Sequence, residues 1–391
     1  MMPSHLIDTP AAGAEDGTLY VAFELSRSKW LIGIVLSGES KLSRHQVSGG
    51  DTAAVWQVIA KKRASAEKKL GRPVRVVSCY EAGYDGFWLD RWLAAQGVAN
   101  RVLDPSSIEM PRRARQAKTD RLDLERLMRV LIRHDGGEPR VCSVVHPPSP
   151  EQEDARRLSR ERDRLIGERT AHGNRIKGLL HGQGVRELQP RRKDFLAQLA
   201  EARTGDGRAV PARLVAEIRR EHARLGLLGE QLAEVEGEMA AQRDAAAPDS
   251  RARQVTHLLG LKSIGPISGE TLVNEVFWRD FRNRRQVGAY FGLVGTPFDS
   301  GQSSREQGIS KSGNGRARSL AVELSWLWLR HQPDSALSLW FKQRVGDQKG
   351  RVRRIAIVAL ARKLMVALWR FLTLGLVPDG AIVRAAAPAG R

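Results

Sequence analysis

The sequence predicts an α/β domain with a mixed sheet, followed by a mainly α-helical remainder. Three observations predict it. Residues 19–36, LYVAFELSRSKWLIGIVL, hold two β-rich runs broken by a polar SRSK, the pattern of a hairpin. Residues 51–133 then alternate helical and strand patterning. After the proline-rich 146-HPPSP-150 the composition changes abruptly to charged, helix-forming sequence that runs to about residue 245.

On the first strand the period of two puts Tyr20, Ala22 and Glu24 on one face, so a carboxylate sits on it. Residues 51–70 carry apolar positions at helical spacing behind an aspartate at the cap position, and 74-VRVVSCYEA-82 follows as a strand with Cys79 and Glu81 on one face. A short helix from Gly86 to Gln96, a strand at 99–104 and a helix from about Asp120 to Arg133 complete this part. In the charged stretch, Leu225, Leu228, Leu232, Val235 and Met239 step by three and four, the seam of a coiled coil or helical hairpin. Dimerisation through this arm is expected, with a helix packed on its own chain as the alternative. The sequence breaks near 182–190 and 204–211, where glycine and proline gather. A third region starts near residue 255, where 258-LLGLKSIGPISGETLVNEV-276 places turn chemistry between two apolar helices and resembles a helix-hairpin-helix phosphate contact. The domain boundaries expected are a flexible N-terminus at 1–18, the α/β domain at 19–145, the arm at 146–250, a C-terminal domain at 251–378 and a flexible tail at 379–391.

The chain has 391 residues with 64 lysines and arginines against 44 aspartates and glutamates, a formal charge of +20. Such a surface attracts polyanions, and nucleic acid is the partner it implies. A membrane is not expected: the most apolar run, 355–377, carries Arg362, Lys363 and Arg370, which are costly inside a bilayer, so it reads as a buried or partner-facing helix. The first residues carry no basic segment followed by an apolar core, and a cytoplasmic, nucleoid-associated location is expected. Two cysteines are too few for a disulfide framework or a cysteine-rich zinc site. No GxxxxGK[ST] sequence occurs to indicate ATP-driven chemistry.

Two constellations carry chemistry. Glu24, Glu81, Asp120 and Asp123 fall where a hairpin-first α/β domain gathers its acids, and the last two, in 118-KTDRLD-123, lie three apart on one helix face. Clustered carboxylates call for a divalent cation, Mg2+ or Mn2+, which can orient a phosphodiester and neutralise its developing charge. The second constellation, 297-PFDSGQSSREQGISKSGNGRARSL-320, interleaves glycine and serine with Arg305, Lys311, Arg316 and Arg318. Glycines let backbone approach a phosphate, and guanidinium groups can stabilise a pentacovalent transition state. The residues alone leave open a passive phosphate clamp or attack by a serine hydroxyl on DNA phosphorus, since several serines compete in the loop. Lys118 joins the four basic residues as an expected nucleic-acid contact.

The order of 22-AFELS-26, 80-YEAGYDGFWLDRWL-93, 118-KTDRLDLERL-127, 260-GLKSIGPISGETL-272, 288-GAYFGLVGTPFDSG-301 and 308-GISKSGNGRARSL-320 resembles the DEDD-type transposases of the insertion-sequence-110 family, also called bridge-RNA-guided recombinases. The resemblance implies a RuvC-like (ribonuclease H-like) N-terminal domain whose acids are Glu24, Glu81, Asp120 and Asp123. It implies a coiled-coil linker and a C-terminal, mainly helical transposase domain whose nucleophile is Ser300, with Ser303, Ser304 and Ser310 as the next candidates. It further implies DNA as substrate, a structured guide RNA as partner and a homo-oligomer, a dimer or tetramer. The family pattern has aspartate first where this chain has Glu24, one methylene longer. Two other readings compete: a metal-only nuclease or junction resolvase, and a non-catalytic nucleic-acid-binding protein.

Overall fold

The computed structural model describes residues 17–108, 119–245, 251–300 and 303–384. The chain divides into two compact units, Met1–Ser149 and Pro150–Arg391.

In the first unit a six-stranded sheet is built from β1 (Thr18–Leu25), β2 (Lys29–Leu36), β3 (Ser43–Ser48), β4 (Arg75–Glu81), β5 (Ala99–Leu103) and β6 (Val144–Val145), in the order β3-β2-β1-β4-β5-β6. β1, β2 and β3 form an antiparallel meander, β1, β4 and β5 run parallel, and β6 closes the edge antiparallel. The mixed sheet and its opening hairpin are as expected. β1 begins at Thr18, which is buried and paired, so the terminus read as flexible through residue 18 is in the sheet by that residue.

The alternation that the hairpin shows in sequence splits the sheet into two cores. Leu19, Val21, Phe23, Val76 and Tyr80 face α1 (Thr52–Leu70) and α2 (Trp88–Ala95), meeting Val55, Ile59, Leu89 and Leu93. Asp51 caps α1, accepting a hydrogen bond from the Ala54 amide at 2.9 Å, as its position before the apolar run predicts. Tyr20, Ala22, Val77 and Cys79 face the other way, against Leu124, Leu127, Met128 and Leu131 of α3 (Asp120–Asp135). The direction of α3 follows from its last residue: Asp135 accepts from the Tyr20 hydroxyl at 3.1 Å and from Arg75 at 2.7 Å, at the N-terminal ends of β1 and β4. α3 therefore runs against β1 and β4, and its first turn lies at their C-terminal ends. Burial, and then the neighbouring Asp135 carboxylate, push the Tyr20 hydroxyl up to about 12, so it stays a donor to Asp135.

The second unit opens with α4 (Pro150–Asp154), α5 (Arg157–His181), α6 (Phe195–Glu201) and α7 (Ala212–Asp244). α5 and α7 pair antiparallel: Ile176 and Leu180 meet Ile218 and Leu225, while Leu165 meets Leu228, Leu232, Val235 and Met239. Across the pair Arg162 bonds Glu236 at 2.6 Å, and both His172 and Arg175 bond Glu221. The apolar seam read as a dimerisation surface thus finds its partner within the chain, which corrects that argument for dimerisation; the arm is a helical hairpin. At its base Arg243 bonds Glu270 at 2.8 Å.

Beyond it lie α8 (Arg251–Leu259), α9 (Pro266–Leu272), one π-helical turn (Val273–Phe277), α10 (Arg284–Tyr290), a hairpin of β7 (Gly295–Ser300) and β8 (Ser303–Ile309), α11 (Gly315–His331), α12 (Ala336–Val345) and α13 (Arg351–Leu374). α13 is the run that looked membrane-like. Its Leu364, Met365 and Leu368 pack on Leu324 and Trp328 of α11, and no described helix is long and apolar enough to cross a membrane. Residues 379–384, expected in a flexible tail, are pinned instead: Gln332 bonds Ile382 from both sides of its amide, and Arg384 donates to the Gly260 carbonyl at 2.7 Å. The rest of that tail, like residues 1–16, lies outside the described residues.

Candidate active site: a carboxylate cleft and a serine hairpin

β1 and β4 are in parallel register, Ala22 opposite Cys79 and Phe23 opposite Tyr80, which puts Glu24 and Glu81 side by side where the two strands end. Both line one cleft of about 310 Å3 together with Ser26, Arg27, Tyr84 and Asp85. Glu24 also borders a second cleft, of about 280 Å3, with Lys29, Gln46, Thr119 and Asp120. The antiparallel course of α3 explains this: its first turn brings Asp120 to the end of β1. Asp123, on the same helix face, is bonded to Arg126 at 2.8 Å and only 13 % exposed, and Lys29 stands 3.5 Å from Asp120.

Glu24 thus shares one cleft with Glu81 and another with Asp120, while Asp123 lines neither and is paired with Arg126. The four predicted acids do not form a closed ligand set: among the described residues no group of three acids, histidines or cysteines is spaced to hold a metal ion. The arrangement fits a hard cation with an incomplete protein shell, since Mg2+ is commonly held by one or two carboxylates with phosphate oxygens and water supplying the rest. Asp85, absent from the sequence-derived set, lies in the Glu24–Glu81 cleft, and burial pushes its carboxyl above the usual value. Lys118 lies outside the described residues.

The serine-rich stretch is a β-hairpin. β7 ends at Ser300, which pairs with Ser303 on the returning strand, with Asp299 opposite Ser304 and Phe298 opposite Arg305. Its base is tightly set. The Ser310 amide donates to Val294 at 2.8 Å and the Asn314 amide to Tyr290 at 2.9 Å. Gly292, at φ +63°, leaves no room for a side chain, because a Cβ there would come 2.0 Å from the Ser312 carbonyl oxygen. Gly292→Ala is expected to destabilise the protein by at least about 1–3 kcal/mol, the scale of backbone strain at one residue, seen as a lower melting temperature. An unchanged melt would show that the hairpin base relaxes freely.

Two of the arginines are engaged within the chain, while the side chain of Arg305 lies outside what is described. Arg316 points inward: Nε bonds Asp163 at 2.6 Å, Nη1 bonds Glu275 at 2.8 Å and the Ser159 hydroxyl at 3.2 Å, and Nη2 bonds the Ser159 carbonyl at 2.7 Å. Arg318 donates to the carbonyls of Phe291 and Lys311 at 3.2 and 3.0 Å. Arg316, expected as a phosphate contact, is thus tied to Asp163, Glu275 and Ser159; Arg318 braces the hairpin base; Lys311 remains exposed, with φ +56°.

What holds Arg316 is a residue the sequence reading passed over. Glu275, on the π-helical turn and 1 % exposed, accepts from Arg160 at 2.7 and 2.9 Å, from Arg316, and from the Asn314 side chain at 3.1 Å. Burial alone would raise its carboxyl; the Arg160 bonds, with Asn314 and Arg316, overcome that and hold it at about 2. Its backbone carbonyl accepts from Tyr290 and Trp278 as well. The signal available in sequence is an acid inside an apolar run, 273-VNEVFW-278, where a buried charge demands partners.

The model of the "Transposase IS116/IS110/IS902 family" matches residues 255–339, which hold the hairpin and Glu275. A DEDD transposase model of IS110 elements matches residues 34–183, which hold Glu81, Asp120 and Asp123. Among curated proteins the chain is 47 % identical to "Putative transposase y4rJ" of Sinorhizobium fredii, over 94 % of this chain and 95 % of that one. It is 26 % identical to the transposase for insertion sequence element IS1111A of Coxiella burnetii, over 72 % of this chain and 74 % of that one. To the transposase for IS1328 of Yersinia enterocolitica it is 28 % identical, over 61 % and 70 %. The fold and the matches define an insertion-sequence transposase, an enzyme that acts on DNA. The chain belongs to the IS110 family of DEDD transposases.

Proposed function

We propose that this transposase cuts and rejoins DNA through a phosphoserine intermediate on Ser300, with a divalent-metal site at Glu24, Glu81, Asp120 and Asp123 in a ribonuclease H-like first unit. The observation that carries the metal half is the placement of Glu24 and Glu81 at adjacent parallel strand ends, lining one cleft. The sheet order, a three-strand meander whose first strand continues into parallel β4 and β5, is what a ribonuclease H-like unit requires. Mg2+ or Mn2+ bound there would supply Lewis-acid polarisation of a phosphodiester oxygen. The carboxylates would hold that ion and orient the scissile group, and Lys29 beside Asp120 offers a cation to a neighbouring phosphate.

On the serine half, the Ser300 oxygen forms a bond to phosphorus as the phosphorus bond to one deoxyribose oxygen breaks. The hydroxyl proton leaves to a base, and the departing sugar oxygen takes up a proton. The ester conserves the bond energy needed to rejoin a second strand. Ser300 supports this role by its place at the end of β7, where the hairpin turns. A structured guide RNA, cytoplasmic action beside the nucleoid and a dimeric or tetrameric assembly complete the reading. They rest on the charge of +20 and the family resemblance.

The test is a cleavage reaction on DNA carrying the element's own ends. Wild-type protein with Mg2+ should yield DNA that migrates with protein until protease frees it, and metal-only cleavage would yield free ends from the start. Glu24→Gln and Glu81→Gln are each expected to lower the rate about 100-fold or more, a few kcal/mol of transition-state stabilisation, with duplex binding retained. Full cleavage by either variant would remove that residue from the site.

A further inference from the structure

Arg316 and Arg318 of the serine region are spent on internal contacts, so other exposed cations of the second unit are candidates to meet DNA. Between α12 and α13, residues 342–354 read KQRVGDQKGRVRR, six cations against the single acid Asp347. Lys342, Arg344, Lys349, Arg351, Arg353 and Arg354 are all exposed, and among the described residues none is ion-paired with a carboxylate. Their placement is fixed from below: Phe341 and Val345 of α12 and Ala356, Ile357 and Leu360 of α13 share a core under the corner, and Lys342 donates to the Pro333 carbonyl at 2.9 Å. An exposed, unpaired cluster of this density on a rigid corner costs self-repulsion that a polyanion relieves.

We propose that this α12–α13 corner is a binding surface for the phosphate backbone of duplex DNA. Two tryptophans at the corner decide between backbone and bases. Arg353 sits 5.0 Å over the Trp326 ring, whose other contact is the Phe341 ring at 6.2 Å, and Lys363 sits 4.7 Å over Trp340. Each ring already carries a cation over one face, which leaves less of it to stack a splayed base, as single-stranded recognition needs, than the cations offer to phosphate. The surface therefore reads phosphate without sequence preference. It lies beyond residues 255–339, the span of the second family match. The inference rests on the DNA-cutting reading above for its choice of partner.

The test uses the full chain, freed of nucleic acid, with a short duplex of scrambled sequence. The triple variant Arg344→Gln/Arg351→Gln/Arg354→Gln is compared with Lys61→Gln/Lys62→Gln/Lys68→Gln on α1, which removes the same charge elsewhere. The corner variant should bind duplex about tenfold or more weakly, with a salt slope shallower by about 0.9 per lost phosphate contact, while the α1 variant stays near wild type. Equal weakening by both triples overturns the proposal, as does no weakening by the corner triple, or loss of binding to a structured RNA with duplex binding intact. If the wild type binds no duplex at all, the DNA-cutting reading falls together with this one. If the wild type binds and cuts while the corner triple is unchanged, only the corner is wrong.

Discussion

Ser300→Ala is expected to abolish covalent protein–DNA adducts and strand exchange, with duplex binding unchanged and stability within about 0.5 kcal/mol of wild type. The asymmetry follows from what a hydroxyl at the end of β7 contributes to each property. The hairpin is held by its strand pairing and by its base, where Ser310, Lys311, Arg318 and Asn314 are bonded to Val294, Gly292, Phe291 and Tyr290 respectively. Those bonds are strand pairing and contacts made by other residues of the base. Chemistry by nucleophilic catalysis depends on the Ser300 hydroxyl oxygen altogether, because no other atom of the residue can carry the ester. The neighbouring serines provide the internal control. Ser303 faces Ser300 across the turn, Ser304 lies one step further along β8, and Ser310 lies beyond the strand, where its hydroxyl accepts from Ser312 at 3.1 Å. Adducts that survive in Ser300→Ala and vanish in Ser303→Ala would move the nucleophile across the turn. Cleavage that survives every serine variant would give the reaction to the carboxylates alone.

How much of this was legible in sequence depends on the range over which each feature is determined. The β1–β2 hairpin, α1 and its Asp51 cap, β4 and α3 follow from local periodicity, and so does the common face of Glu24 with Tyr20 and Ala22. β3, Ser43–Ser48, was not anticipated, because SRHQVS is polar and half-exposed and is a strand only through its pairing to β2. The Leu225–Met239 seam could be seen but its partner could not, since the same spacing serves a second copy or α5 of the same chain. The arginines show the limit most clearly. Arg316 and Arg354 are alike in sequence, each in a basic stretch, and what separates them is that Asp163 and Glu275 reach the first from remote positions. Charge is a property of composition, but its availability to a ligand is a property of the fold.

Glu275→Gln is expected to destabilise the second unit by about 3–5 kcal/mol, because removing one partner from a buried ion network leaves the others' charge uncompensated. The glutamine keeps the shape and an acceptor for Asn314, so the loss reports charge rather than packing. Arg160 lies at the surface, with half its side chain in water, and can turn outward; Arg316, 23 % exposed and also tied to Asp163 and Ser159, has less freedom. The cost should therefore fall mainly on Arg316 and on the start of α11, where Asn314 bonds both Glu275 and, as the helix cap, the Ala317 amide at 3.0 Å. The pH dependence has a definite sign. A carboxyl held at about 2 in the folded protein, against 4.5 ordinarily, contributes stability that is fully present above the ordinary value and is lost as pH falls toward 2. Thermal melts of wild type and Glu275→Gln should thus be furthest apart near neutrality and converge as the pH is lowered through that window. A gap that stays constant with pH would mean that Glu275 acts through shape, and the ion network would then not be what ties the arm to the base of the serine hairpin.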